Sequence, residues 1–235
     1  MSCIKGLNKI TGIKLYSLKD KTYSTFFELL IDCKENAIGI ADLTILIKLN
    51  FFSEFGSIGK LLKFVEIYNE LYQKKTIKKD KEYLVKKLYL KEFCAKETEK
   101  QYTGFDSYKC LSSLIDKMAD EDISIKDKLL YQLQYFGYVD IVDTNINKDI
   151  WLVTDMVERS KNKIVDLYCI NNGEKIKAKV RSKIFSSNPF NKGDLLSIDS
   201  FMREGKWSIN PDTQEWEKST TVFENILNEY NIERN

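Results

Sequence analysis

Apolar residues recur at helical intervals in the first part of the chain and at every second position later on. Up to about residue 72 the intervals are three and four, as in the series Leu61, Val65, Tyr68. Glycines interrupt this stretch, so residues 1–72 are predicted to form short helices joined by tight turns. Residues 73–146 begin with a lysine-rich run and then return to helical spacing, which predicts a basic, helical connector.

From residue 147 onward the alternation of apolar and polar residues predicts strands. The five predicted strands are Trp151–Val157, Ile164–Ile170, Lys175–Lys183, Leu195–Phe201 and Lys206–Ile209. Short strands of this kind are typical of a five-stranded barrel of the OB type, here over residues 147–212. Residues 213–235 predict a C-terminal helix, because Thr221 and Glu224 have the spacing of a capping box. The predicted fold class is α+β, with two domains: an all-α N-terminal domain, then the barrel with its terminal helix.

The dipeptide Asn172-Gly173 is typical of a two-residue hairpin loop and predicts how the second and third strands pair. This pairing puts Tyr168 opposite Lys177 and Asp166 opposite Lys179 on one face of the hairpin. The other face is wholly apolar and is predicted to point into the core. The polar face carries a cation at every second residue of the third strand: Lys175, Lys177, Lys179, Arg181 and Lys183.

This row of cations suggests a nucleic-acid interface. Neighbours on one face of a strand are about 6.7 Å apart, which is similar to the spacing of phosphates along an extended single strand. The row can follow such a backbone while Tyr168 stacks on a base, and Trp151 is a second candidate for stacking. A solvated outer face is the alternative in a lysine-rich protein. The OB-type prediction favours nucleic acid, because the face of strands 2 and 3 of that fold commonly binds oligonucleotides.

Two glycine turns in the helical part can offer backbone amides to a phosphate group. The residues involved are Gly12 and Lys14 in the first turn, and Gly56, Gly59 and Lys60 in the second. Each predicted turn lies between two helical segments, as in a helix-hairpin-helix motif, which grips the DNA backbone without reading sequence. Such turns also occur simply as connections between helices, and this alternative stays open.

Composition narrows the chemistry. None of the 235 residues is histidine, which excludes Ser-His-Asp and Cys-His catalysis and zinc sites that contain histidine. The odd number of cysteines, without a CxxC pair or a secretory signal, indicates reduced thiols in a cytoplasmic protein: Cys3, Cys33, Cys94, Cys110 and Cys169. No apolar run is long enough for a membrane helix. The net charge of +2 requires any nucleic-acid site to be a local patch, and no cofactor, metal or catalytic residue is expected.

Part of the helical region resembles a known family. The segment Leu46–Gly56 resembles the sequence L-I-K-x-G-A-F-D-x-x-G near the end of the fingers region of the bacterial DNA polymerase III alpha subunit, the C-family replicase. The matching residues are Leu46, Ile47, Lys48, Phe52 and Gly56, whereas Asn50, Phe51 and Ser53 depart from the pattern. Ile4–Ile13 is similar to the family's G-L-x-x-I-x-G-h turn, and Tyr135–Tyr138 to its L-G-F-Y element.

The resemblance implies a noncatalytic C-terminal portion of a replicase. Its helix-hairpin-helix motifs would grip template-primer duplex, and its OB domain would handle the single-stranded template. The sliding clamp or other replisome subunits are implied as partners, with Gln132–Phe136 as a candidate clamp peptide that fits an amphipathic helix equally well. The palm carboxylates of the family have no counterpart, because the acidic cluster Asp120–Asp122 is predicted to be a surface loop. A free-standing single-strand-binding module and a protein-interaction adaptor are the alternatives.

Overall fold

The computed structural model describes residues 4–210 and 213–233. The chain forms two compact units, with the boundary between Tyr131 and Gln132. Helices dominate the first unit, and a seven-stranded sheet forms the second. The α+β fold class is confirmed.

Among the described residues of the first unit seven α-helices begin, and every regular element within residues 4–72 is helical. The helices are α1 Lys9–Ser17, α2 Phe26–Glu35, α3 Ile40–Lys48, α4 Ile58–Leu71, α5 Lys87–Lys91, α6 Ser107–Lys117 and α7 Ile125–Tyr135, with a 3₁₀ turn at Ser53–Phe55. Helix α2 begins at a capping box, in which the Thr25 and Glu28 side chains each bond to the other's backbone N–H. Its buried Phe26 and Phe27 pack against Phe64 of α4 and join these helices in one core.

A small antiparallel sheet interrupts the predicted helical connector. Its strands are β1 Thr76–Lys78, β2 Lys96–Glu97 and β3 Gln101–Thr103, in the order β1-β3-β2. Ile77 is fully buried between polar neighbours, and Thr76 pairs with Thr103 across the sheet. Strands of two or three residues are too short to show a period of two, so the prediction of helix was wrong at this sheet.

The seven strands of the second unit include all five that the sequence predicts. They are β4 Ile150–Arg159, β5 Asn162–Cys169, β6 Lys175–Val180, β7 Leu195–Ser197, β8 Met202–Ile209, β9 Trp216–Leu227 and β10 Asn231–Glu233. A short helix, α8 Ser182–Ser187, lies between β6 and β7. Val165, Leu167, Ala178 and Val180 alternate along β5 and β6 and are buried in one core, as their spacing predicts.

The predicted C-terminal helix is wrong, because residues 216–227 and 231–233 form β9 and β10. Just after Thr221, residues 223–226 pair with β8 on one side, and residues 225–227 pair with β6 on the other. The β-branched residues Thr220, Thr221 and Val222 also favour an extended backbone. Strand pairing therefore outweighs the local capping signal of Thr221 and Glu224.

The last two strands lie beside both outer strands of the group β7-β4-β5-β6. The end of β9 runs parallel to β6, with Ala178 opposite Asn225 and Val180 opposite Leu227. After residues 228–230, β10 runs antiparallel to β7, with Ile232 opposite Leu196. One continuous segment thus hydrogen-bonds to the strands at both edges of the group.

The hairpin between β5 and β6 has a longer loop than the sequence predicts. The Cys169 N–H donates to the Glu174 carbonyl at 2.9 Å, so the loop has four residues, and Gly173 within it has a φ of +76°. Tyr168 consequently lies opposite Lys175, and Asp166 lies opposite Lys177. The predicted register was wrong by two residues. Because a shift of two leaves every side chain on the same face, the predicted core and outer faces were still right.

Two further sequence predictions concern membranes and cysteines. Over residues 4–210 and 213–233, no helix has the length and apolar character needed to cross a bilayer. The four described cysteines, Cys33, Cys94, Cys110 and Cys169, are free thiols, and Cys3 lies outside the described residues. Burial raises the pKa of both Cys33 and Cys110 to about 12, which makes these two thiols poor nucleophiles.

Candidate nucleic-acid interface

The predicted row of five cations is shorter in the structure. Strand β6 ends at Val180, Arg181 is the N-cap residue of α8 but makes no side-chain hydrogen bond to it, and Lys183 lies within that helix. The Ser182 N–H donates to Asn162 Oδ1 at 3.1 Å and holds the chain as it leaves the strand. Only Lys175, Lys177 and Lys179 therefore share the outer face of β6, and the prediction that the strand continues through Arg181 and Lys183 was wrong.

Ion pairs divide the cations of β6 into two groups. The Lys177 ammonium lies 3.2 Å from Asp166, the carboxylate that the shifted register brings opposite it, and its side chain is 68% exposed. The Lys179 ammonium lies 3.0 Å from Glu224 of β9, and its side chain is only 25% exposed. An exposed pair is worth about 0–1 kcal/mol, so Lys177 can exchange its carboxylate for a phosphate much more readily than Lys179.

Arg181 is also held by an acidic residue of the same unit. Its guanidinium donates to the carboxylate of Glu204 on β8. This hydrogen bond holds the pKa of Glu204 below its usual range. Arg181 is therefore better placed to fix β8 against the end of β6 than to follow a nucleic-acid backbone.

Neither of the two predicted stacking residues is accessible to a base. Tyr168 is buried, and its hydroxyl donates to the Ile141 carbonyl at 2.9 Å, while burial raises its pKa. Trp151 is also buried and packs edge-to-face against Phe201, with ring centroids 5.2 Å apart. The structure thus places Trp151 in the core and Tyr168 beneath the segment that precedes β4.

A groove of about 510 Å³ runs along the outer side of β4, β5 and β6. Its lining includes three lysines, two aspartates and two tyrosines, of which Tyr168 is almost fully buried: Lys175, Lys177, Lys192, Asp155, Asp166, Tyr138 and Tyr168. Asp155 and Asp166 lie directly opposite each other on β4 and β5. Lys192 lies 3.3 Å from Asp155, so each of these facing carboxylates has an exposed lysine beside it.

An aromatic pair stands at this groove. Tyr138 is 52% exposed and stacks on Phe136, with centroids 5.4 Å apart and an interplanar angle of 17°. Tyr138 lines the same groove as Lys175 and Lys177, so a ligand in the groove can reach a half-exposed aromatic ring and two lysines. Sequence reasoning did not assign a binding role to Tyr138 or Lys192. Two sequence features could have drawn attention to them: Tyr138 ends the L-G-F-Y-like element, and Lys192 directly precedes the turn at Gly193-Asp194.

The first predicted glycine turn lies elsewhere. Gly12 is inside α1, and the Lys14 ammonium donates to the Ala37 carbonyl at 2.7 Å. The turn is centred earlier, at Gly6, whose φ is +83°, and Asn8 then caps α1 by accepting the Ile10 N–H. The N-cap preference of asparagine was the signal for this position. The structure therefore does not bring Gly12 and Lys14 together in a phosphate-binding turn.

The second glycine turn does precede a helix, but its amides already have a partner. Gly56 has a φ of +141°, and Ser57 caps α4 by accepting the Lys60 N–H. The Ser57 N–H donates to Asp120 Oδ1 at 2.8 Å, and the Ser57 hydroxyl donates to the Glu121 carbonyl at 3.0 Å. The hydrogen bond from the Ser57 N–H lowers the pKa of Asp120. An exposed acidic loop of the same chain thus occupies the place of an anion at the N-terminus of α4.

Gly59 and Gly12 are expected to respond in opposite ways to alanine. A Cβ atom at Gly59 would collide with the backbone of Glu121 and Asp122, so Gly59→Ala should destabilise the first unit by about 1–3 kcal/mol. Gly12 lies in a helix interior, where Gly12→Ala should add about 0.5–1 kcal/mol. Urea unfolding followed by far-ultraviolet circular dichroism measures both. Equal effects of the two substitutions would show that the acidic loop does not pack on Gly59.

The lysine run of residues 74–87 is largely engaged with its own surroundings. Lys79 lies 2.7 Å from Glu97, and Lys81 lies 3.5 Å from Glu70. Hydrogen bonds from Lys79 and Lys91 lower the pKa of Glu97 to about 2. These contacts favour a solvated, structural role for the run.

The remaining candidate site is the clamp peptide, Gln132–Phe136. Residues of the candidate clamp peptide continue α7 as far as Tyr135, and the Gln132 side chain bonds to the Asp140 carboxylate at 2.6 Å. The amphipathic helix, the alternative to a clamp peptide, is therefore the structure of residues 132–135. In the part of the chain that the structure describes, no three histidine, cysteine, aspartate or glutamate side chains are grouped to hold a metal ion.

Comparisons with known proteins add no assignment to this geometry. No protein-family model, no curated protein and no solved structure matches the chain.

Proposed function

We propose that the second unit is an OB-type barrel that binds single-stranded nucleic acid. The strand pairing supports the barrel, since the segment of β9 and β10 lies beside both β6 and β7 and can close the sheet β7-β4-β5-β6. The proposed barrel then has five strands: β4, β5, β6, β7 and the segment of β9 and β10 counted as one, with β8 left outside it as the partner of β9. Strand β9 lies beside β6, although β7 and β8 come between them in the sequence, and such a return is typical of the Greek-key topology of this fold.

The observation that carries the function is the groove of Lys175, Lys177, Lys192 and Tyr138. It lies on the outer side of the second and third strands of the proposed barrel, β5 and β6, where OB folds bind oligonucleotides. Its lysines supply charge for a phosphate backbone, and Tyr138 supplies an exposed ring for a base. Asp155 and Asp166 reduce the local charge, so we expect modest affinity without sequence preference.

The wider proposal is that the chain is a noncatalytic, cytoplasmic portion of a C-family replicase. The order of a helical unit before a barrel supports it, as does the turn at Gly56–Lys60 between α3 and α4. Template-primer duplex and single-stranded template would then be its ligands, and the sliding clamp or other replisome subunits its partners. The hydrogen bond from the Ser57 N–H to Asp120 weakens phosphate binding at this turn, because a DNA phosphate must displace that carboxylate.

The test uses the full chain and a fluorescein-labelled dT oligonucleotide of about 15 nucleotides, near the upper end of the site sizes known for one OB fold. Fluorescence anisotropy should report binding that weakens steeply between about 50 and 200 mM salt. The absence of binding at the lower salt concentration would overturn the proposal in favour of a protein-interaction adaptor. Preference for a primer-template junction over the plain oligonucleotide would support the replicase proposal, and nucleotide incorporation by this chain would contradict the noncatalytic role.

A further inference from the structure

The hairpin of β8 and β9 carries exposed aromatic side chains that the groove does not use. Near its tip, Trp207 pairs with Lys218, Ser208 with Glu217, and Ile209 with Trp216. Trp207 is 49% exposed and Trp216 is 66% exposed, although tryptophan is usually among the more buried residues. We call the tip of this hairpin, residues 207–209 and 216–218, the aromatic arm.

The two faces of the aromatic arm differ sharply in chemistry. Residues directly opposite in a ladder share a face, and successive residues alternate between faces. One face therefore carries Trp207, Ile209, Trp216 and Lys218, with a cation and no carboxylate from the arm. The other face carries Ser208 and Glu217, whose carboxylate accepts a hydrogen bond from the Asn210 amide. The arm's own charges are thus on opposite faces, and the one carboxylate that reaches Lys218 comes from outside the arm, from Glu204 at 3.6 Å.

The cation lies close to one of the rings. The Lys218 ammonium is 5.8 Å from the ring centroid of Trp207. A second cation–π pair lies farther from the tip of the hairpin. There the Arg203 guanidinium is 5.1 Å from the ring centroid of Phe223, and the Phe223 ring is exposed. Large π-faces with positive charge beside them suit stacked bases joined by phosphates.

A bend positions the arm relative to the rest of its own unit. The pairing register shifts between Gly205 and Trp207, and residues 219–222 bulge out of β9. The Ser219 hydroxyl accepts the N–H of Val222 at 2.9 Å and stabilises this bulge. A side chain at Gly205 would collide with the Ser219 backbone, so glycine permits the close approach. Bulges of this kind re-aim the side chains beyond them, here the two tryptophans.

We propose that the aromatic arm is a second contact for single-stranded nucleic acid, in which Trp207 and Trp216 stack on bases and Lys218 contacts the backbone. This inference rests on the proposed function of the second unit and extends it beyond the groove. Two exposed tryptophan rings beside a half-exposed lysine favour a strand that carries both bases and phosphates. Lys218 must exchange its contact with Glu204, an ion pair that is 3.6 Å long, for a phosphate, while Glu217 repels an anionic strand from the other face. Self-association through the same apolar face is an outcome of the test.

The tryptophans themselves provide the measurement. The chain has three, and the third, Trp151, is buried in the core. Addition of unlabelled dT oligonucleotide should quench the emission of Trp207 and Trp216, whereas the double variant Trp207→Phe/Trp216→Phe reports only Trp151 and should show little quenching. Anisotropy of the labelled oligonucleotide measures binding anywhere on the protein, so the two signals separate the arm from the groove.

Affinity gives the second readout. The variant Trp207→Ala/Trp216→Ala should bind the oligonucleotide at least about tenfold more weakly, since each base–aromatic stack contributes about 1–3 kcal/mol. The matched control on the opposite face, Ser208→Ala/Glu217→Gln, should not weaken binding. Circular dichroism checks that both variants are folded, which is expected because all four side chains are exposed.

Each outcome has a distinct meaning. Quenching with weaker binding by the alanine variant supports the arm. Unchanged affinity of that variant, with unquenched tryptophan emission while the oligonucleotide binds, overturns the arm and leaves the proposed function intact. No binding by the wild-type protein overturns both. A concentration-dependent dimer in sedimentation that Trp207→Ala/Trp216→Ala returns to monomer, with no change in oligonucleotide affinity, assigns the face to self-association and overturns the inference.

Discussion

Phe190→Ala is expected to lower the free energy of unfolding of the second unit by about 3–5 kcal/mol. Phe190 is only 1% exposed and lies edge-to-face between Phe185 and Tyr230, at centroid distances of 5.3 and 5.0 Å. Tyr230 lies between β9 and β10, and its hydroxyl donates to the Asn188 carbonyl at 2.5 Å. The lost ring would therefore remove packing from the segment that joins the two edges of the sheet.

All three tryptophans belong to the second unit, so the emission of tryptophan during urea unfolding reports this unit. The matched control is Phe223→Ala, since Phe223 is an exposed phenylalanine of the same unit. That change should cost less than about 0.5 kcal/mol, as is usual for surface positions. If Phe190→Ala were no more destabilising than Phe223→Ala, Phe190 would not be a core residue and the packing around Tyr230 would be different.

The alternation of apolar and polar residues predicts the strands of the second unit and their buried sides well. Strands β4 to β8 follow from alternating residues, and the apolar sides of β5 and β6 follow from the same alternation. The register was wrong by two residues because the loop at Asn172-Gly173 has two more residues than its dipeptide suggests. An even shift changes the partners of Tyr168 and Asp166 but not the face on which they lie.

The candidate site depends on contacts that no local pattern contains. Lys179 and Arg181 are paired with Glu224 and Glu204, which are 45 and 23 positions away in the sequence. Tyr168 is covered through a hydrogen bond to Ile141, 27 positions before it. Periodicity identifies the outer face of β6, but it cannot show which outward side chains the rest of the chain then covers or neutralises.

The terminal segment fails for a related reason. Thr221 and Glu224 satisfy a helix-capping pattern, and their β-branched surroundings satisfy a strand pattern equally well. The choice is made by unpaired backbone groups on β6 and β7, whose amides and carbonyls need partners. An isolated sequence window contains no information about those open strand edges.

The largest effect on binding is expected from the three lysines of the groove. Lys175→Glu/Lys177→Glu/Lys192→Glu should weaken binding of the dT oligonucleotide at least about 100-fold at about 50 mM salt, where phosphate contacts contribute most. Each lost phosphate contact should also reduce the slope of log K against log salt by about 0.7. Loss of all three contacts therefore lowers the slope by about 2 in anisotropy titrations over a range of salt concentrations.

The control comes from Lys179 and Arg181, the two cations of the predicted row whose carboxylate partners are less exposed than the Asp166 partner of Lys177. Lys179→Gln/Arg181→Gln removes two charges from the same side of the unit, yet their carboxylate partners Glu224 and Glu204 already neutralise them. This variant should leave the salt slope within about 0.5 of the wild-type value, which is less than one phosphate contact. A larger change than that of the groove variant would mean that nucleic acid follows β6 itself, as its lysine spacing first suggested. Lys192 and Tyr138, which line the groove but lie outside β6, would then have no role in binding.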